Sequence, residues 1–158
     1  MLDHESSDSV GRIERAMRSF KRLGDAQRVQ RGWRSATGIE LDATGLLALM
    51  RIDEHGSLRL TELAPLLWLD LSVVSRKVRQ LEEMGLVMRT PDPADARASQ
   101  LKATPSGAAT VARMMSHRRD MLEATVGTWT EADREQLAEL LERFVHDVVN
   151  SYEDHDQS

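Results

Sequence analysis

The sequence predicts a mainly α-helical chain with one short β-hairpin. Three observations carry this. Apolar residues recur at helical spacing over long stretches, most cleanly at Leu137, Leu140, Leu141, Phe144, Val145 and Val148. One segment alone reads as strand–turn–strand: Leu86–Thr90 and Ala98–Ala103 flank a tip holding two prolines and two aspartates. Thr104-Pro105, a capping residue followed by proline, then marks a strong helix start.

Residues 1 to about 8 are polar and read as a loose terminus. A long helix follows, with Val10, Ile13, Met17, Phe20 and Gly24 on one stripe and Arg12, Arg15 and Arg22 roughly opposite. It is expected to bend at Gly24, which costs about 1 kcal/mol relative to Ala, and to run on to about Arg34. Gly38 ends it or opens the next loop. Asp42 can cap a helix from Ala43 to about Glu54, with Leu46, Leu49 and Met50 facing one way and His55-Gly56 ending it.

The next helix is short, starting near Thr61 as a cap and reaching Leu67 or Trp68. Pro65 within it forfeits a backbone bond, and Trp68 is expected to pack into the core. After a brief link comes a helix from Leu71 to Met84, with Asp70 as N-cap and Gly85 as the glycine just past its end. Leu71, Val74, Val78 and Leu81 share one face. At about 100° per residue the opposite face carries Ser72, Val73, Arg76, Arg79 and Gln80. Hydroxyl, methyl, guanidinium and amide groups near the front of a helix suit major-groove edges and phosphates. Taken alone, this is equally the solvated basic face of a surface helix. A helix-turn-helix followed directly by a hairpin, however, makes a winged helix.

Past Pro105, Ala108, Val111, Ala112, Met115, Leu122 and Val126 form a stripe ending at Gly127. Thr130 with Asp133 resembles a capping box. The last helix follows, and the acidic tail from Ser151 reads as frayed.

These fragments resemble a known family. Glu62-Leu63-Ala64, Ser72-Val73-Val74-Ser75-Arg76, Leu81-Glu82 with Gly85-Leu86-Val87, Asp92-Pro93 with Asp95, Arg97 and Ala98, and Thr104 with Gly107 are similar, in order and spacing, to the MarR family of bacterial transcription regulators. The motif-bearing part covers Leu41 to Gly107. The flanking helices fit in length and apolar pattern only. One departure is Trp68, where the family usually has a small residue, often Gly.

The expected organisation is one domain over residues 1–158. A winged-helix reader occupies 41–103, and 9–36 with 104–150 form flanking helices. Their apolar stripes exceed what a small reader can cover, so a second copy is expected against them. The resemblance implies the same homodimer, joined through its terminal helices. Two equal readers would engage two half-sites of a near-palindromic site on double-stranded DNA, and transcription would be repressed.

Ser72, Val73 and Arg76 are expected at base edges, and Ser75, Lys77 and Arg79 at phosphates or sugar edges. The family's Asp-x-Arg motif implies that Arg97 reaches the minor groove and that Asp95 holds its guanidinium. The resemblance also implies release by a small aromatic or anionic effector, for which Trp33, Met50 and Met115 are lining candidates. A constitutive DNA binder without a ligand, and a pure protein-interaction module, are the alternatives.

Composition sets further bounds. The net charge is −5, yet Arg12–Arg34 holds eight basic residues against two acids, and Asp120 onward holds eleven acids against two arginines. A local patch, not the whole-chain sum, sets affinity for phosphate. With no cysteine there is no disulfide, thiolate metal site or thiol switch. No apolar run is long enough to span a membrane and no signal peptide is visible, so a cytoplasmic protein is expected. Catalysis is not expected. The chain has no phosphate-cradling Gly loop and no Cys nucleophile, its histidines are scattered, and His117 beside Arg118-Arg119-Asp120 reads as solvated or paired. No cofactor or metal is expected.

Overall fold

The computed structural model describes the backbone of residues 3–24, 31–32, 34–35, 38–95 and 97–156. Its elements are α1 (Asp3–Gly24), α2 (Ala43–His55), β1 (Leu58–Arg59), α3 (Leu60–Leu66) and α4 (Leu71–Glu83), then β2 (Val87–Pro91), β3 (Ser99–Ala103), α5 (Pro105–Val126) and α6 (Glu131–Asp156). Residues 31, 32, 34 and 35 are also helical. The chain divides into two compact units, Met1–His117 and Arg118–Ser158.

The first unit is built around the reader. Leu49 and Ile52 of α2, Leu63 of α3, Val74, Val78 and Leu81 of α4, and Leu101 of β3 are all fully buried. Each such side chain contributes roughly 1.5–3 kcal/mol of burial. Asp42 caps α2 as expected, its Oδ1 accepting from the Gly45 N–H at 2.8 Å.

The cap of α3 is two residues earlier than expected. Arg59, not Thr61, is the N-cap, and the Glu62 carboxylate accepts from the Arg59 N–H at 2.6 Å. Pro65 lies inside this helix. The hairpin has the expected strands, antiparallel from Val87↔Ala103 to Pro91↔Ser99. The sequence did not reveal β1, which adds Leu58↔Leu101 and Arg59↔Gln100 and makes a sheet of order β1-β3-β2. A two-residue strand leaves no alternation to read. It nevertheless ties the wing to the start of the helix-turn-helix.

Thr104 joins wing to α5. Its Oγ1 accepts from the Gly107 N–H at 3.0 Å and donates to the Gly85 carbonyl at 2.7 Å, while its N–H donates to the Leu86 carbonyl at 2.9 Å. Gly107 is required here by close approach: a Cβ at this position would lie 2.0 Å from the Leu86 oxygen. That contact also sets the phase of α5. Gly107, Thr110, Val111 and Met114 are buried, whereas Ala112, Met115 and Leu122 of the expected stripe are exposed. The small Gly107 and the self-satisfied Thr110, whose hydroxyl donates to the Ser106 carbonyl at 2.8 Å, fit the close side better than the longer apolar residues.

Helix α1 begins at Asp3 instead of near residue 9. Val10, Ile13, Met17 and Phe20 are all at least half exposed. In the second unit Thr130 caps α6, accepting from the Asp133 N–H at 3.2 Å. Its hydroxyl donates to the Asp133 carboxylate at 2.6 Å, so the shorter Asp answers the side chain and not the cap backbone. The helix continues to Asp156, past the expected fraying point at Ser151. Leu137, Leu140, Leu141, Phe144 and Val145 are exposed on it.

Candidate nucleic-acid interface

Burial fixes the orientation of α4. Val74, Val78 and Leu81 face the core, so Ser72, Arg76 and Arg79 point outward and are exposed, with Val73, Ser75 and Gln80 half-buried at the margins. Leu71, expected on the apolar face, is 46% exposed, because it sits at the first position of the helix, beyond the edge of the core. Asp70 holds the N-cap position, but through its backbone: its carbonyl accepts from Val73 and Val74 at 3.0 and 3.1 Å, and its side chain makes no cap bond. At the other end Gly85, at φ 68°, donates to the Glu82 carbonyl at 2.9 Å, and Leu86 donates to Leu81 at 2.9 Å. Glycine adopts this left-handed backbone without steric cost.

Lys77 does not join the outward row. Its ammonium pairs with the Asp42 carboxylate, and the side chain is 17% exposed. A residue at this margin of α4 reaches the α2 cap more readily than open solvent. Burial pushes the Asp42 carboxyl up, but the hydrogen bonds from Lys77 and the Gly45 N–H, with the charges of Lys77 and Arg76, outweigh it and hold it below the usual range. One carboxylate thus caps α2 and pins α4. On the far side, Arg89 of β2 ties the wing to α4 through Glu82 at 2.8 Å.

The wing tip is organised by Asp92 rather than Asp95. The Asp92 side chain is 2% exposed. Its Oδ2 accepts from Arg59 Nε at 2.7 Å and from Gln100 Nε2 at 3.3 Å, and its Oδ1 accepts from the Ala94 N–H at 2.8 Å. The Arg59 bond and the Ala94 N–H hold its carboxyl down to about 2. Asp95 makes a turn: its carboxylate accepts from the backbone N–H of Arg97 at 2.9 Å, and its carbonyl from Ala98 at 2.9 Å. The expected Asp95–Arg97 side-chain pair is not formed, since two residues of tight turn bring the backbone amide to the carboxylate first. Arg97 is exposed on the tip.

Trp68 also departs from expectation. It is 70% exposed with φ 54°, not packed in the core. Leu63, Ala64 and Leu67 already close the core beneath that turn. Of the ligand candidates, Met50 packs partly buried against the core, Met115 is 46% exposed, and Trp33 lies outside the described residues. His117 stands close to Gly32, where a Cβ would approach its Nε2 to 3.2 Å. Among the described residues no group of three or more acidic or histidine side chains could hold a metal ion, and no helix is long and apolar enough to cross a membrane. Sequence reasoning found Asp42 as the α2 cap but missed its pairing with Lys77, and it missed the Arg59–Asp92 pair that organises the wing. The partners lie 35 and 33 residues apart, and no local pattern announces them.

The sequence model of the MarR family matches residues 41–99, the span from just before the α2 cap to the first residue of β3. An uncharacterised HTH-type transcriptional regulator, YxaD, of Bacillus subtilis is 33% identical over 65% of this chain and 72% of its own length. The HTH-type transcriptional repressor IacR of Pseudomonas putida is 28% identical over 70% of this chain and 66% of its own. The solved structure of a MarR family protein from Bacillus stearothermophilus superposes with a TM-score of 0.77 at 19% identity, covering 90% of this chain and 97% of that one. Matching the winged-helix scaffold, the outward basic row on α4 and these relatives, the chain belongs to the MarR family and is a helix-turn-helix, DNA-binding regulator of transcription.

Proposed function

We propose that this regulator is a homodimeric repressor that reads a near-palindromic operator. The observation that carries the reading is the two-faced α4: Val74, Val78 and Leu81 are locked in the core while Ser72, Arg76 and Arg79 stand outward. In this reading Ser72, Val73 and Arg76 meet base edges in the major groove. Arg79 and Ser75 meet phosphates or sugars, and Arg97 on the wing enters the adjacent minor groove, where narrow A·T tracts attract Arg. Lys77 is assigned to holding α4 on Asp42 in place of a phosphate contact, and Asp95 to shaping the tip that carries Arg97.

A second copy fits the apolar residues exposed on α1 and α6, each of which has a row of them. Two curated relatives, IacR and NicR of Pseudomonas putida, bear the name repressor, which favours repression here. Release by a small aromatic or anionic effector completes the reading and rests on the family resemblance. A ligand does this only by binding one dimer geometry better than another.

The test is selection from a random duplex pool with the full-length protein. An enriched, near-palindromic duplex, bound by a sedimenting dimer and weakened by salt, supports the reading. A DNA-competent monomer, or a pool that never enriches, refutes it.

A further inference from the structure

We propose that Arg59 is a positioning residue for DNA binding: its ion pair with Asp92 sets the distance and angle at which the wing presents Arg97 relative to α4. This rests on α4 and Arg97 being the two groove contacts, and it names what holds them in register.

Arg59 belongs to three structures at once. It is the second residue of β1, opposite Gln100 of β3. It is the N-cap of α3, with its N–H donating to the Glu62 carboxylate at 2.6 Å. Its guanidinium Nε donates to Asp92 Oδ2 at 2.7 Å, at the base of the wing tip. The helix it caps carries Leu63 and Ala64 into the same core as Val74 and Val78 of α4. Arg59 is therefore fixed to the reading helix on one side and reaches the wing on the other.

Asp92 carries that fix into the tip. Its N–H donates to the Ala98 carbonyl at 3.1 Å, closing the loop, and its Oδ1 accepts from the Ala94 N–H at 2.8 Å. The Ala98 N–H donates to the Asp95 carbonyl and the Arg97 N–H to the Asp95 carboxylate, both at 2.9 Å. Arg97 thus stands on a loop whose turns are closed on themselves. Such a tip moves as one piece, so the direction of Arg97 follows the anchor at Asp92.

The chemistry of the anchor points to geometry rather than stability. The Asp92 side chain is 2% exposed, and a buried carboxylate is costly to desolvate. Apolar side chains of similar volume would hold the joint as well or better. What they would not supply is direction. A short charge-assisted bond, with Gln100 Nε2 as a second donor at 3.3 Å, fixes both length and orientation. β1 by itself offers two paired residues, and so short a ladder leaves the hairpin free to twist. Duplex DNA demands the direction, because its minor groove stands at a set rise and rotation from the major groove that α4 enters.

The test uses the full-length protein with Arg59→Gln, Asp92→Asn, Arg97→Ala, the double variant Arg59→Gln with Arg97→Ala, and Arg59→Lys as the conservative change. Each is titrated with the selected duplex and with two derivatives. One has the A·T stretch under the wing replaced by G·C; the other has the guanine read by Arg76 replaced. Arg97→Ala should lose the A·T preference. Arg59→Gln and Asp92→Asn should lose it too, roughly fivefold per half-site, while keeping the guanine preference. In Asp92→Asn the loss runs against charge, since removing a carboxylate beside DNA by itself strengthens binding. Arg59→Gln should do no further harm once Arg97 is gone. Arg59→Lys, which keeps the charge of the pair, should restore part of the A·T preference. Partial unfolding lowers binding to all three duplexes by one factor, so base preference separates position from stability.

An Arg59→Gln protein that keeps the A·T preference, or loses affinity equally on all three duplexes, overturns the proposal and leaves the wing reading standing. Tighter binding by Asp92→Asn does the same. Additive losses for Arg59→Gln and Arg97→Ala also overturn it, and make Arg59 a DNA contact in its own right. A parent without an A·T preference, or an Arg97→Ala protein that keeps one, shows that Arg97 does not read the minor groove, and the proposal falls with that reading.

Discussion

Gly107→Ala should loosen the joint between wing and α5. Helix propensity alone favours the change by about 1 kcal/mol. The space forbids it. The new Cβ would stand 2.0 Å from the Leu86 oxygen, 3.0 Å from its carbonyl carbon and 3.3 Å from Leu49 Cδ1. Two of these are backbone atoms, so no rotamer change relieves the clash, and α5 must lift by roughly 1 Å or more to reach ordinary contact distance. Overpacking of this kind costs about 1–3 kcal/mol, occasionally more. Lifting also breaks the Thr104 bonds to Leu86 and Gly85, each worth about 1 kcal/mol. The net loss is about 2–4 kcal/mol, or roughly 5–15 °C in Tm for a chain of this size. Differential scanning calorimetry measures it, with Gly11→Ala as the control. Gly11 lies in the exposed α1, where a Cβ finds its nearest neighbour at 3.4 Å, the tip of Arg15, so its Tm should hold or rise. If Gly107→Ala melts at or above the parent, the close packing of α5 on Leu86 is wrong.

Three further outcomes follow from the same contacts. Asp92, held to about 2 against an ordinary 3.8, contributes stability that is complete above the ordinary value and lost as pH falls through the folded value. Asp92→Asn should therefore flatten the unfolding profile between pH 4 and 2 and loosen the wing amides in hydrogen exchange; an unchanged acid limb would remove Asp92 from the wing's support. Asp42→Asn and Lys77→Ala should each lower stability, with the double mutant losing less than the sum; strict additivity would show that the pair does not act as a unit. Leu140→Asp with Phe144→Asp should yield monomer by sedimentation and abolish operator binding, and a persisting dimer would move the interface away from α6.

The reader was legible in sequence where the signal is local. The Val74, Val78, Leu81 row, Gly85, Asp42 and Thr104-Pro105 each announce an element within one or two turns, and all stand where expected. What was missed is non-local. Arg59–Asp92 and Lys77–Asp42 join residues far apart in the chain, and β1 exists only because β3 is there to pair with it. Lys77 and Arg97 looked alike as cations near DNA, yet one is spent on Asp42 and the other stands on an exposed tip. Trp68 misled for another reason. Its size argued for burial, while its place one residue past the α3 cap dictates an outward turn. In α5 the expected stripe was about one residue out of phase, because close approach through Gly107 outweighs the larger apolar residues in choosing the inner face.

The most direct measurement is the affinity of the parent and of Arg76→Ala for the duplex that selection enriches. Arg76 stands exposed at the centre of the outward face of α4. A bidentate bond to guanine there is worth about 1–3 kcal/mol, roughly 5- to 150-fold in affinity per half-site. The variant should keep the parent's helix content and dimer while losing that affinity and its preference at one base position in each half-site. An Arg76→Ala protein that binds the selected duplex as tightly and as specifically as the parent would contradict the assignment of α4 as the reading helix.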